Sequence, residues 1–285
     1  MNGERKMGRN WRKAPVILAM LLVSAGLLTP AGPAGAAGGP QTAEAADTAA
    51  IVNHKKAAAA EAAEIVRQTP EKSAQIAREA PPKEMFAPVP ESEAVEDDYF
   101  DDAVFLGDSR TEGFSLYSGL KTGTYLYGVG ATVESVFTKK AWPVGGEEKV
   151  PLLDALAEED CGKIYVMLGI NELGWSKKET FQEQYGKVID RIRGDHPDAE
   201  IILQTILPVS AKQDAKGSYV NNERVTVYNA VIWELAEEKE CALVDVAAAL
   251  SGEDGCLPAD LNFDGVHLNP AGCRLWLDYL RTHSV

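Results

Sequence analysis

Between Tyr99 and Val285 the chain alternates short apolar runs with longer stretches whose apolar residues recur every three or four positions. The runs are Ala103–Leu106, ended by Gly107; Thr124–Tyr127, ended by Gly128; Lys163–Leu168, ended by Gly169; Glu200–Leu207, ended by Pro208; and Ala242–Val246. Their near-continuous apolar character predicts strands covered on both faces. The stretches between them predict helices over Lys149–Glu159, Lys177–Arg193, Asn222–Lys239 and Pro270–His283. In Lys177–Arg193 the positions Phe181, Tyr185, Val188, Ile189 and Ile192 form one stripe. Strand–helix alternation of this kind predicts an α/β domain over residues 99–285, with a five-stranded parallel sheet between helices. Ligands of such sheets bind beyond the carboxyl ends of the strands. Function is therefore sought in the residues just after each strand.

The first 98 residues obey other rules. Arg5, Lys6, Arg9, Arg12 and Lys13 precede an apolar run from Ala14 to Leu28, and Ala34-Gly35-Ala36 comes next. This order predicts a secretory signal peptide over residues 1–36, cleaved after Ala36, with Ala43-Glu44-Ala45 as a second cleavage candidate. An uncleaved anchor is disfavoured by the shortness of the run and by Pro15 and Gly26 within it. Residues 37–98 are rich in Ala, Glu and Pro. Thr42–Arg67 favours helix locally but carries few large apolar residues, and Pro70, Pro81, Pro82, Pro88 and Pro90 interrupt the remainder of the segment. This reads as a spacer, helical in places and otherwise extended, with seven acids between residues 91 and 102.

Charge narrows the partners. The formal net charge is −15, and a chain cleaved after Ala36 would lose five basic residues and one acid, giving −19. Such a surface disfavours nucleic acid and anionic lipid. The expected site of action is outside the cytoplasm, secreted or at the cell surface, with no specific protein partner. The cysteines are Cys161, Cys241, Cys256 and Cys273. Export allows disulfides, and Cys256 and Cys273 flank the loop that carries His267, so a bridge there and free, partly buried thiols both stay open. No C-x-x-C, H-E-x-x-H, Walker-type phosphate loop or G-x-S-x-G elbow occurs. Gly128-Val-Gly130-Ala-Thr-Val133 lacks the third glycine of a dinucleotide fingerprint.

The strand ends carry a coherent set of groups. Gly107-Asp108-Ser109 lies after the first strand, Gly128-Val-Gly130 after the second, and Gly169-Ile-Asn171-Glu172 after the third; Asp264-Gly-Val-His267 precedes the last helix. A serine hydroxyl needs a base to become a nucleophile, and His267 can supply it. Asp264, three residues earlier, can orient the imidazole, with Asp260 as a nearby substitute. A tetrahedral oxyanion needs fixed donors: the Ser109 N–H at a strand-to-helix turn, the N–H of Gly130, and the Asn171 amide. His54, His196 and His283 lie in the spacer, at the opposite sheet edge and in the tail. Read singly, Ser109 would be a helix N-cap, Gly130 a turn glycine and Asn171 a loop cap. Asp108 reads as a structural carboxylate holding the turn, and Leu173, Trp175 and Leu268 read as packing before pocket lining.

Four blocks in this order resemble the SGNH, or GDSL, hydrolases, a family of serine esterases and acyl hydrolases. Phe105-Leu-Gly-Asp-Ser109 matches the block of the nucleophile. Gly130 best matches the second-block glycine, with Gly128 the fallback. Gly169-Ile-Asn171-Glu172 matches the third block and Asp264-Gly-Val-His267 the last. The resemblance implies a three-layer α/β/α, flavodoxin-like fold. It also implies hydrolysis of an ester through an acyl-enzyme on Ser109, His267 and Asp264, with Ser109, Gly130 and Asn171 as the oxyanion hole and no metal or other cofactor. Two positions depart from the pattern: Arg110 comes after the serine where leucine gives the family its name, and Glu172 stands where the family has Asp. Export and the lack of a long apolar lid favour a short acyl group, on a cell-surface glycan or a small molecule. An O-acyltransferase with the same triad, or a non-catalytic wall- or carbohydrate-binding module on this fold, are the alternatives.

Overall fold

A computed structural model describes residues 86–143 and 148–285. The expected signal segment, and the expected spacer up to residue 85, lie outside the described residues. Five strands, β1 (Ala103–Gly107), β2 (Thr124–Tyr127), β5 (Lys163–Met167), β6 (Glu200–Gln204) and β7 (Ala242–Val244), pair in the order β2-β1-β5-β6-β7. Every pairing is parallel. The order reverses between β1 and β5, which is where doubly wound sheets of this order open a crevice.

Strand alternation divides the core into two layers. Val104, Leu106, Ile164, Val166, Ile201 and Leu203 face one side. There they meet Val188, Ile189 and Ile192 of α3 (Lys178–Asp195) and Val231, Ile232 and Leu235 of α5 (Asn222–Glu238). The α2 turn (Leu152–Leu156) belongs to this layer. Phe105, Tyr165, Met167 and Ile202 face the other side. They meet Phe114 of α1 (Ser109–Tyr117) and Trp276, Leu277 and Leu280 of α7 (Pro270–Thr282). Register matters here: Phe105 lies opposite Tyr125 and Tyr165, and its ring stacks on both at 5.1 and 5.0 Å. Such ring pairs add about 0.5–1.5 kcal/mol each beyond the area they bury. Trp276 is buried and donates from Nε1 to Gln204 Oε1 at 2.9 Å, which lets an indole N–H and an amide leave water together.

The structure departs from the pattern in three places. Lys149–Val150 is not helical; it is β4, paired antiparallel with β3 (Trp142–Pro143). Pro151 holds extended backbone, and a residue before proline is pushed out of the helical region, so the helix starts only at Leu152. The Glu200–Leu207 run leaves the sheet after Gln204, because β7 ends at Val244 and offers no further ladder. Side chains of α5 take over. Asn229 accepts from the Ile206 N–H at 2.7 Å and donates to its carbonyl at 2.9 Å, and Asn222 does the same for Val209 at 2.7 and 2.9 Å. A buried extended segment thus keeps its backbone satisfied without a partner strand. The third departure is the domain boundary. Residues 86–98 already lie on the domain: the N–H groups of Val89, Ser92 and Val95 donate to the carbonyls of Leu243, Thr282 and Arg281 at 2.8, 2.7 and 2.9 Å. Phe86 meets Trp233 edge-on at 6.3 Å. Three apolar residues, Phe86, Val89 and Val95, among five acids anchor a stretch whose composition reads as spacer. The chain then enters β1 through a 3-10 turn at Asp97–Phe100, and further short helices, α4 (Ala211–Asp214) and α6 (Val246–Leu250), come after β6 and β7.

Candidate active site

Ser109 is the first residue of α1, and Asp108, not Ser109, is its cap: Asp108 Oδ1 accepts from the Arg110 N–H at 2.8 Å. The Ser109 hydroxyl is therefore free of capping, and its N–H, in the first helical turn, has no intrahelical acceptor. Gly107 makes the turn possible. A Cβ there would lie 2.1 Å from Thr111 Oγ1 and 2.6 Å from the Met167 carbonyl oxygen, so no larger residue fits between β1, β5 and α1.

The loop before α7 brings the base. Asn269 caps α7, accepting from the N–H groups of Ala271 and Gly272 at 2.9 and 3.1 Å, with Pro270 in the first turn. Upstream, Phe263 donates its N–H to the His267 carbonyl at 2.9 Å, and Asn262 Oδ1 accepts from Gly265 N–H at 2.7 Å. These bonds close residues 262–268 into a tight loop. Inside it Asp264 Oδ1 accepts from the N–H groups of Val266 and His267 at 2.9 and 2.8 Å, while Oδ2 lies 2.8 Å from His267 Nδ1. His267 Nε2 lies 2.9 Å from Ser109 Oγ across 158 positions of chain. Asp260 plays no part in this; its carbonyl accepts from Asn269.

The hydrogen bond from the His267 ring holds the Asp264 carboxyl well below the usual carboxylate range; the two backbone N–H groups act in the same direction and burial acts against them. A carboxylate can only accept, so Nδ1 carries the ring proton, and Nε2 is left to accept from the serine hydroxyl. The side chains of His267 and Asp264 are 43% and 54% exposed, so the pair opens to solvent.

The loops after β2 and β5 meet each other, and the first of them is tied to the end of β1. Gly128 donates its N–H to the Gly107 carbonyl at 3.1 Å and is thereby engaged. Gly130 is exposed, takes φ +70°, and its N–H has no hydrogen-bond partner among the described residues. A Cβ there would meet nothing within 4 Å, so the glycine is needed for its left-handed backbone rather than for close approach. Asn171 Nδ2 donates to the Ala131 carbonyl at 2.8 Å, which ties the amide to the residue after Gly130 and leaves its second N–H. Glu172 is fully buried and its Oε1 accepts from Val133 N–H at 2.6 Å.

Behind Ser109 lie buried charges that sequence patterns did not expose. Burial pushes Asp108 upward against the opposing pull of the Arg110 N–H and guanidinium, and burial pushes Arg110 down to about 10. Arg110 donates from one terminal nitrogen to the Leu207 carbonyl at 2.8 Å, in the segment held by Asn222 and Asn229. That segment continues to Ser210, whose N–H donates to the Gly265 carbonyl at 2.9 Å. Arg110 thus braces, through 207–210, the loop of Asp264 and His267. The family-name position had suggested only a departure; a charged residue directly after a buried strand end was the available signal.

Leu173 and Leu268 are buried in the core, and Trp175 packs partly against it. Phe263, 62% exposed beside Asp264, meets Tyr117 of α1 edge-on at 5.8 Å. All four cysteines are free, including Cys256 and Cys273. Among the described residues no group of three or more His, Cys, Asp or Glu is placed to hold a metal ion, and no helix is long and apolar enough to cross a membrane.

No curated protein is significantly similar to this chain. Among solved structures, a proposed platelet activating factor from Streptococcus pneumonia is 21% identical, with a TM-score of 0.51 over 78% of this chain and 97% of that one. A GDSL-like lipase from Bacteroides thetaiotaomicron is 16% identical, with a TM-score of 0.47 over 67% and 88%. The first of these likenesses is one of fold. The model of the GDSL-like lipase/acylhydrolase family matches residues 105–275, from the strand before Ser109 into the helix after His267. By that match the chain belongs to the GDSL-like lipase/acylhydrolase family.

Proposed function

We propose that the chain is an exported serine esterase that cleaves a short acyl ester. The observation that carries this reading is the continuous line Ser109 Oγ–His267 Nε2, 2.9 Å, and His267 Nδ1–Asp264 Oδ2, 2.8 Å, on a loop open to solvent. Ser109 Oγ attacks the ester carbonyl carbon as its proton passes to His267 Nε2. The carbonyl π electrons move onto oxygen, where the Ser109 and Gly130 N–H groups and the Asn171 amide stabilise the charge. Collapse breaks the bond to the leaving alkoxide, which takes the proton from His267. Water then repeats the sequence against the acyl-enzyme and releases the acid. Asp264 keeps the ring in the required tautomer and stabilises the imidazolium formed in each half.

We take the acyl group as short, and its carrier as a cell-surface glycan or small molecule; the signal-like N-terminus and the lack of a long apolar lid segment in the sequence support this reading. A fluorophosphonate probe with peptide mass spectrometry tests the nucleophile. Modification of Ser109 that disappears in His267→Ala is expected; no adduct, or an adduct elsewhere, contradicts the reading. p-Nitrophenyl esters from acetate to palmitate test the acyl length, with activity expected to fall beyond the short chains.

A further inference from the structure

We propose that Glu172 is a positioning residue whose side chain fastens the loop of Gly130 to the loop of Asn171, so that both donors meet one oxyanion. The proposal rests on the esterase reading above. Its basis is geometric. Residues 130–133 are held at two points by consecutive residues of the loop after β5: Asn171 Nδ2 donates to the Ala131 carbonyl at 2.8 Å, and Glu172 Oε1 accepts from Val133 N–H at 2.6 Å. The first bond uses one N–H of the very amide assigned to the oxyanion. Within the loop Ala131 N–H donates to the Gly128 carbonyl at 2.9 Å, and Thr132 and Ser135 bond each other, so 130–135 moves as a unit; the Glu172 bond is the second point that sets how this unit sits against the loop after β5. Donors contribute to catalysis only when they are already placed where charge will develop.

The chemistry of residue 172 suits this task. Glu172 is fully buried, and its Oε2 has no partner among the described residues. Burial pushes its carboxyl up to about 8, despite the bond from Val133, and Asp108 at the end of β1 pushes the same way. Tyr185 of α3 and Tyr228 of α5 interact with the same carboxyl, and Arg110 lies against Asp108. Burial thus favours the neutral form of the carboxyl beside Asn171, and that form still accepts from Val133 N–H. Ionisation above about pH 8 keeps the bond to Val133 but places a negative charge beside the site of developing charge. The family's Asp would be one methylene shorter; retracting the carboxyl by about 1.5 Å removes it from hydrogen-bond range of Val133 N–H. The extra methylene here is what spans the two loops.

The test compares full-length wild type, Glu172→Asp and Glu172→Gln on p-nitrophenyl acetate, with thermal unfolding of each. Glu172→Asp is expected to lose about 10- to 100-fold in kcat with KM within about threefold, as for lost transition-state donors. Glu172→Gln keeps an acceptor for Val133 N–H, so it is expected to stay within about threefold of wild type at pH 7, and any fall of wild-type kcat that comes from ionisation of Glu172 at alkaline pH is expected to be absent from it. A packing role alone would move unfolding temperature without splitting kcat from KM and without altering the pH profile. Wild-type kcat in Glu172→Asp, or equal damage in both variants, overturns the proposal while leaving the esterase reading intact. If Glu172→Asp does not fold, Glu172→Met, which fills the same space with no acceptor for Val133 N–H, takes its place with the same loss of kcat expected, and wild-type kcat in it overturns the proposal. An inactive wild type overturns both readings together.

Discussion

Replacing Asp264 with Asn exchanges one carboxylate oxygen for an NH2 group and leaves the shape of the loop unchanged. Two arrangements are open to the amide. In the first, Oδ1 keeps both backbone bonds, from Val266 and His267 N–H, and Nδ2 faces His267 Nδ1 across the present 2.8 Å. Donor then meets donor unless the ring moves its proton to Nε2, and Ser109 loses its acceptor at 2.9 Å. In the second, the amide flips to accept from Nδ1, and two backbone N–H groups face a donor. Those bonds contribute about 0.5–1.5 kcal/mol each, so the flip costs about 1–3 kcal/mol. The productive arrangement therefore holds from about a sixth to somewhat under a hundredth of the molecules. Loss of the charge that stabilises the imidazolium lowers the rate further. Asp264 is half exposed, and solvent screens that contribution. We expect kcat to fall about 10²- to 10⁴-fold, about 3–5.5 kcal/mol in activation free energy, with little change in KM. The assay is steady-state hydrolysis of p-nitrophenyl acetate, with thermal unfolding as a control for the two retained backbone bonds. A loss under about fivefold would refute the tautomer argument.

The same structure has other consequences. Asp264 is depressed in the folded state, so its contribution to stability is present above its ordinary value of 3.8 and is lost as pH falls through the lower folded value. The gap in unfolding temperature between wild type and Asp264→Asn should shrink below about pH 4, and a gap that widens there would contradict this. Trp276→Phe leaves Gln204 Oε1 buried without its donor and should cost about 2–4 kcal/mol in urea unfolding, with part regained by adding Gln204→Leu. A chain beginning at residue 86 should melt higher than one beginning at residue 99. Three backbone bonds and the Phe86, Val89 and Val95 contacts amount to about 2–4 kcal/mol, or roughly 5–15 °C for a domain of this size; equal melting temperatures would show the strap to be idle.

The sheet was legible because its signal is local. Four of the five strands are apolar runs that end at or within two residues of a glycine or a capping acid, and the period-two division of Val104 and Leu106 from Phe105 comes from strand geometry alone. The Ser109–His267–Asp264 line was legible because sheets of this kind gather their strand ends at one edge. What escaped depends on tertiary partners. Nothing local announces that Asn222 and Asn229 will replace a strand beside Ile206 and Val209, since asparagine on a helix is ordinarily a surface residue. The paired strands β3 and β4 are two residues each, too short for periodicity to register. Residues 86–98 were obscured by composition, because seven nearby acids outweigh three apolar anchors in any average. Arg110 and Glu172 are charged by type, and their burial is set by partners 97 and 39 positions away.

The central claim is that the hydroxyl at Ser109, activated by His267, is the nucleophile of an ester hydrolase. Its most direct test is the rate of p-nitrophenyl acetate hydrolysis by purified Ser109→Ala, with folding verified by thermal unfolding. An active wild type and a folded variant with a kcat at least about 10³-fold lower are expected. A folded Ser109→Ala that hydrolyses the ester at the wild-type rate would contradict it.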